Sequence, residues 1–258
     1  SVTQFNGYST LHALMCAALA WDSASRLPAS AQETETLVRA ALTQNVSIKT
    51  LQDRMAGQKD KPSRDQLLAI DAHSRESVRL LAAAGVSDPT WLEVVARHHD
   101  DLPPCSAIND RPPAEKLAKI LQVVDRYSAA MSPRGSRPGR ESPAAVKTVL
   151  KSPGSAEHDE VGLDLVRNLG LYPPGTFVKL ARGDAAVVLR RGNKLNEPLV
   201  ASVLNRHGEP VLAPRVLSTE SPEFAVQAAL SGSSIRVRLN ETDMLRQLSA
   251  YRVDVPLG

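Results

Sequence analysis

The sequence is poor in aromatic residues and cysteine, and it has no long apolar run. Aromatic residues make up 3% of the 258 positions, so we expect a core built mainly from Leu, Val and Ala. The only two cysteines, Cys16 and Cys105, lie far apart without metal-motif spacing. We therefore expect reduced thiols and a cytoplasmic protein. No stretch approaches the roughly 18 consecutive apolar residues of a membrane-spanning helix, so no membrane insertion is expected.

Strong charge of either sign is also missing. The formal net charge is +3, which is too small to indicate a nucleic-acid partner. Hydrophobic residues account for 42% and charged residues for 23% of the chain, as is ordinary for a globular protein. The length suits one large domain or two smaller ones. Because the chain begins with Ser1 rather than Met, we expect further protein upstream.

Apolar residues recur at helical spacing in the first two thirds of the chain, and this pattern predicts helices. The predicted helices cover 9–27, 32–43, 64–84, 89–99, 113–131, 142–151 and 157–169. A polar connection is expected at 56–64, and a loop rich in Pro, Gly and Arg at 132–142. The predicted helix at 113–131 has the clearest apolar pattern. One face of this helix should carry Leu117, Ile120, Leu121, Val124 and Ser128.

The pattern changes after Tyr172, where short alternating runs predict strands. One strand should end at Leu180 and pair with 185–190, and 199–204 should pair with 210–217. A further alternating run covers 235–239. The sequence thus predicts a mainly α protein: a helical domain at 1–172 and a β-rich C-terminal extension at 173–258, packed on the helical domain.

The adjacent pair His98 and His99 stands out, because the chain has only six histidines. Imidazole is the commonest protein ligand of transition metals, so the pair is a candidate metal motif. The pair would also suit the C-terminal end of a helix, where the helix dipole favours positive charge. The residues alone leave both interpretations open.

Two longer segments give a more specific indication. Residues 117–131, LAKILQVVDRYSAAM, and residues 171–180, LYPPGTFVKL, resemble parts of the HD-GYP family, a branch of the HD superfamily of metal-dependent phosphohydrolases. The first resembles the helix that carries the last metal-binding Asp of that family, and the second resembles its closing turn and strand. The resemblance extends over about residues 9–217. It implies an HD-type helical bundle around two or three metals and an activity on cyclic di-GMP.

The resemblance also implies a set of metal ligands. Suitable side chains stand at five of the family's ligand positions, with Asp100 replacing the Glu that usually follows the paired histidines. The implied ligands are His12, His73, His98, His99 and Asp125.

The chain departs from the family at the residues that give the family its name. Gln44 and Asn45 stand where the resemblance implies His and a metal-bridging Asp, and no Gly-Tyr-Pro follows the paired histidines. A neutral amide is a poor ligand for a hard or borderline divalent ion. We therefore expect a degenerate HD-GYP domain without a metal cofactor. It would be an impaired or inactive signalling or interaction module in a cyclic di-GMP pathway.

An alternative remains open, namely an active metal-dependent cyclic di-GMP phosphodiesterase with an altered metal site. In that case His73, His98 and His99 would form a three-imidazole face for one Fe, Mn or Zn ion.

Arg134 and Arg137 fall where the resemblance implies basic residues that meet the phosphates of the dinucleotide. Arg suits this role because its planar guanidinium grips phosphate oxygens in pairs. The same residues would also suit a solubilising loop. The expected partners are cyclic di-GMP and a signalling protein, and the sequence leaves a homodimer open.

Overall fold

The computed structural model describes residues 7–27, 29–102, 107–132, 142–150 and 159–230, together with the single positions 235, 242 and 249. The chain divides into two compact units. One comprises 1–140 and 147–165, and the other comprises 141–146 and 166–258. Two of the boundaries between these units, 146/147 and 165/166, fall inside helices.

Eight α-helices and five β-strands occur in the described residues, which confirms a mainly α fold with a smaller β-rich C-terminal part. The helices are α1 (Tyr8–Ala24), α2 (Ala31–Thr43), α3 (Lys49–Gly57), α4 (Arg64–Ala83), α5 (Pro89–Arg97), α6 (Pro113–Met131), α7 (Ser142–Val149) and α8 (Glu160–Leu169). None of these helices combines the length and the hydropathy needed to cross a bilayer.

Local capping signals explain where three of the helices begin. Ser30 before α2 accepts a hydrogen bond from the Glu33 amide at 3.2 Å, and the Glu33 carboxylate accepts one from the Ser30 amide at 2.7 Å. Ser63 and Gln66 form the same reciprocal box before α4. The Asp88 carboxylate caps α5, with Pro89 in the first turn. Such caps each stabilise a helix by about 1 kcal/mol.

Two details of the helical part differ from the sequence-based expectation. Helix α5 ends at Arg97, with His98 as its C-cap, so the paired histidines follow the helix instead of lying within it. Helix α3 was not predicted. It is only nine residues long and has a single buried residue, Ala56, so no apolar stripe marks it in the sequence.

Helix α6 is the centre of the helical unit. Its predicted apolar face is confirmed, because Leu117, Ile120, Leu121, Val124 and Ser128 are all fully buried. This face packs among α1, α2 and α5. Helix α6 itself carries Asp125, and the other candidate ligands lie on α1 and α4 or directly after α5.

The second unit contains a five-stranded antiparallel sheet with strand order β4-β3-β2-β1-β5. The strands are β1 (Phe177–Leu180), β2 (Ala185–Arg190), β3 (Leu199–Leu204), β4 (Val216–Ser218) and β5 (Val226–Leu230). The β1–β2 and β3–β4 pairings are confirmed, with Val178 opposite Ala186 and Val200 opposite Leu217. Strand β4 is, however, much shorter than the expected run 210–217. Strand β5 was not predicted. Of the strand expected at 235–239, only Ile235 is described, and it is not in a strand.

Candidate metal centre

Three histidines meet in the helical unit. His73 lies in α4, and His98 and His99 follow α5. The ring centroids are 5.1 Å apart for His73 and His98, 5.0 Å for His73 and His99, and 4.1 Å for His98 and His99. His73 and His98 are buried, whereas His99 is exposed. The three predicted ligands are therefore brought together, with His99 on the solvent side.

Hydrogen bonds set the tautomers of the two buried rings. The Nδ1–H of His98 donates to the carbonyl of Val95 at 2.8 Å, and the Nδ1–H of His73 donates to the carbonyl of Ile70. Each neutral ring therefore has an unprotonated Nε2, and these two Nε2 atoms face each other at 3.2 Å. Two facing lone pairs repel unless a cation lies beside both. Two imidazole ligands on one tetrahedral ion, each ~2.0–2.1 Å from it, would lie about 3.3 Å apart.

The two buried rings are neutral at ordinary pH. Burial lowers the pKa of His98 to about 3 and also lowers the pKa of His73. Neutral imidazole is the form that binds a metal.

A second cluster lies beside the first. His12 and Cys16 are one turn apart on α1, and Asp125 comes from α6. The Nε2–H of His12 donates to Asp125 Oδ1 at 2.9 Å, and Cys16 Sγ lies 3.6 Å from His12 Nε2. Cys16 is a free, buried thiol. Burial, followed by the negative charge of Asp125, raises the pKa of that thiol.

The sequence analysis did not identify Cys16 as a candidate ligand, because it considered only the spacing between Cys16 and the other cysteine. The spacing of His12 and Cys16, i and i+4, was the available signal, since such residues share one helix face. Cys105 lies outside the described residues.

Gln44 contacts the second cluster through Asp125. Its Nε2 donates to Asp125 Oδ1 at 3.1 Å, so this oxygen accepts from both Gln44 and His12. Gln44 is buried, and its Oε1 has no hydrogen-bond partner. Burial raises the pKa of Asp125, but the hydrogen bond and charge of His12 outweigh burial and bring that pKa down to about 2. Asp125 is therefore a carboxylate at neutral pH.

Members of both clusters line one small pocket with a volume of about 150 Å³. Its polar lining includes His12, Asn45, His73, His99 and Asp125. The unpredicted helix α3 supplies Leu51 and Met55 to its apolar wall, and none of the described lining residues is Lys or Arg. Arg134 and Arg137, predicted to bind phosphate, lie outside the described residues.

No protein-family model matches this chain, and no curated protein and no solved structure matches it either. A functional proposal therefore depends on the chemistry of the two clusters and on the resemblance of the sequence segments that led to them.

Proposed function

We propose that the helical unit is an HD-GYP-like signalling module in a cyclic di-GMP pathway, with phosphodiesterase activity that is impaired or lost. The contact between Gln44 and Asp125 carries this proposal. Gln44 stands where the resemblance implies a metal-binding His, and its amide donates to the carboxylate expected to bind metal. A side-chain hydrogen-bond network thus occupies the place where the resemblance implies a metal centre.

The loss of a carboxylate at Asn45 explains why activity would be impaired. Hydrolysis of a phosphodiester by two metals needs a hydroxide that is both generated and aimed at phosphorus. In the family, the Asp at this position bridges the metals and helps to hold that hydroxide. An amide carries no negative charge, so it neither offsets the metal charge nor keeps two ions together. We infer that a bridged metal pair does not form.

One metal ion on His73, His98 and His99 is compatible with this proposal. The facing Nε2 atoms of His73 and His98, 3.2 Å apart, support such an ion because they leave two lone pairs without a proton between them. Three imidazoles suit Fe, Mn or Zn. The protein would orient this ion through the Nδ1 hydrogen bonds to backbone carbonyls.

The alternative, an active phosphodiesterase with an altered site, is favoured by one observation. His99 is exposed and lines the same pocket as Asp125, so a phosphate that enters from solvent could reach an ion on the histidines. In this alternative the single ion both generates the hydroxide and polarises the phosphate.

Assays of cyclic di-GMP hydrolysis and binding test the proposal. The full chain, loaded with Mn²⁺ or Fe²⁺, should hydrolyse cyclic di-GMP very weakly or not at all, and calorimetry should detect binding. The double variant Gln44→His, Asn45→Asp should gain turnover and a second metal ion. Gln52→His is the matched control, because Gln52 also lines the pocket but stands at no ligand position.

Robust turnover by the unmodified chain, lost in His98→Ala, would refute the impaired site and support the alternative. A chain that neither binds nor hydrolyses cyclic di-GMP would refute the proposed pathway.

A further inference from the structure

We propose that the exposed face of α1 is a docking surface for a second copy of this chain, on which two α1 helices pack antiparallel across a two-fold axis. The face consists of Leu11, Leu14, Ala18 and Trp21, and we call it the α1 stripe. It contains none of the candidate metal ligands. The inference depends on neither cyclic di-GMP nor hydrolysis, so it stands apart from the proposed function.

The α1 stripe is apolar, yet it faces solvent. Leu11 is 68% exposed and Trp21 is 62% exposed, and Leu14 and Ala18 between them are exposed as well. The opposite side of the same helix is buried, so α1 presents apolar residues on both sides. A helix that is apolar all round is normally buried all round. The stripe therefore indicates a surface that a partner covers.

The exposed apolar surface continues from α1 onto α2. The end of α1 and the start of α2 line one groove, to which Trp21 and Val38 both contribute. Leu42, one turn after Val38, and Val46, just after α2, are exposed too. Together with the α1 stripe, these two residues offer on the order of 500 Å² of apolar surface per copy. Two copies would thus bury about 1,000 Å² before any polar rim is counted, which is the area that a specific interface needs.

The spacing along the α1 stripe makes it complementary to itself. Its residues follow one another at intervals of three, four and three, as in the seam between two packed helices. Positions 11 and 21, and likewise positions 14 and 18, lie at equal distances from one midpoint of the helix. In an antiparallel pair, Leu11 would therefore face Trp21 of the partner subunit, and Leu14 would face Ala18 of the partner subunit. Such reciprocal contacts are what a two-fold interface requires.

The charges around the α1 stripe favour a second copy over a membrane surface. Helix α1 has no Asp, Glu, Lys or Arg before Asp22, so two stripes bring no like charges together. A helix that lies on a membrane usually carries Lys and Arg on its polar face, and α1 has neither. The groove beside the stripe is bordered by charges of both signs, Glu35 and Arg39.

Sedimentation equilibrium of the full chain tests this inference. The wild type should sediment as a dimer of 27.8 kDa subunits at about 100 μM protein. Leu14→Glu should raise the dissociation constant of the dimer at least about tenfold, because it places a charge at the centre of the apolar interface. Leu68→Glu is the matched control and should leave the dissociation constant unchanged. Leu68 also lies on a helix, α4, and is 58% exposed, compared with 56% for Leu14.

A pair of charge variants tests the antiparallel packing. Leu14→Lys and Ala18→Glu should each weaken the dimer. The double variant should dimerise at least about tenfold more tightly than either single variant, because position 14 of each copy then faces the opposite charge at position 18 of the other. Parallel helices would bring like charges together at both positions, so they would give no such recovery.

Circular dichroism shows whether Leu14→Glu remains folded; if it does not, Ala18→Glu takes its place. A wild-type chain that stays monomeric would overturn the inference, as would a dimer that Leu14→Glu leaves intact or that Leu68→Glu weakens equally. A double variant no tighter than the single variants would refute the antiparallel packing. A monomer that instead co-sediments with phospholipid vesicles would assign the α1 stripe to a membrane surface. These measurements need neither metal nor nucleotide, so their failure and the failure of the cyclic di-GMP assays are distinguishable.

Discussion

The burial of His98 predicts that the helical unit loses stability in mild acid. His98 is fully buried, and its pKa in the folded chain is about 3. The same side chain in the unfolded chain has a pKa of about 6.5. Below pH 6.5, the unfolded state therefore binds a proton at His98 that the folded state does not bind until about pH 3. The contribution of His98 to the free energy of unfolding is therefore fully present above pH 6.5 and is lost as the pH falls.

The size of the effect follows from the difference between the two pKa values. Each pH unit below 6.5 costs the folded state about 1.4 kcal/mol, so His98 lowers the free energy of unfolding by about 3 kcal/mol between pH 7.5 and pH 4.5. Burial also lowers the pKa of His73, which adds to the loss in the same direction. A metal on the histidines would oppose protonation, so the measurement is made in the presence of a chelator.

Tryptophan fluorescence during urea unfolding provides the assay. Trp21 and Trp91 are the only tryptophans, and both lie in the helical unit, so their emission follows that unit alone. His98→Asn can retain a donor to the Val95 carbonyl but does not titrate in this range, so its free energy of unfolding should fall by about 3 kcal/mol less than that of the wild type between the two pH values. His207→Asn is the control, because His207 is exposed in the other unit. Equal losses in wild type and His98→Asn would refute the burial of a neutral His98.

The same fluorescence assay at pH 7.5 checks three further predictions. Leu121→Ala should lower the free energy of unfolding by about 2–5 kcal/mol, because Leu121 is fully buried in α6 and the change leaves a cavity. Ser63→Ala should cost about 1 kcal/mol through loss of the α4 capping box, whereas Ser25→Ala, on an exposed side chain outside any capping box, should change stability by less than about 0.5 kcal/mol. Zn²⁺ at about 100 times its dissociation constant should add about 2.7 kcal/mol to the wild type. His73→Ala should reduce this gain if the three histidines hold an ion; an undiminished gain would place the ion elsewhere.

Local signals in the sequence determined most of the helices and the first four strands. Capping residues such as Ser30 and Ser63 start helices through hydrogen bonds within four residues, so these starts are visible without any tertiary information. The buried face of α6 is visible for a similar reason, since its apolar residues recur at helical spacing. The resemblance of two segments added the candidate ligands, of which His73, His98 and His99 lie close together in space.

Long-range packing decided the features that the sequence analysis missed. Helix α3 has little apolar patterning, but it contacts α1, and the Ser9 amide donates to the Asp53 carboxylate of α3 at 2.7 Å. Strand β5 pairs with β1 across about fifty residues of chain, and its partly exposed side chains show no clean alternation. Such contacts depend on neighbours that no local window contains.

The candidate metal centre also combines features that the sequence determines with features that only the tertiary structure determines. The sequence determined which side chains could bind a metal, because this depends on residue type alone. Only the tertiary structure decided how they group. It placed Cys16 and Gln44 with His12 and Asp125, although Asp125 lies 113 positions after His12. It also ended α5 at Arg97, so that His98 is buried while His99 faces solvent. The physical reason is that ligand geometry is set by the packing of α1, α2 and α5 around α6 and of α4 against α5, and this packing follows from the whole core.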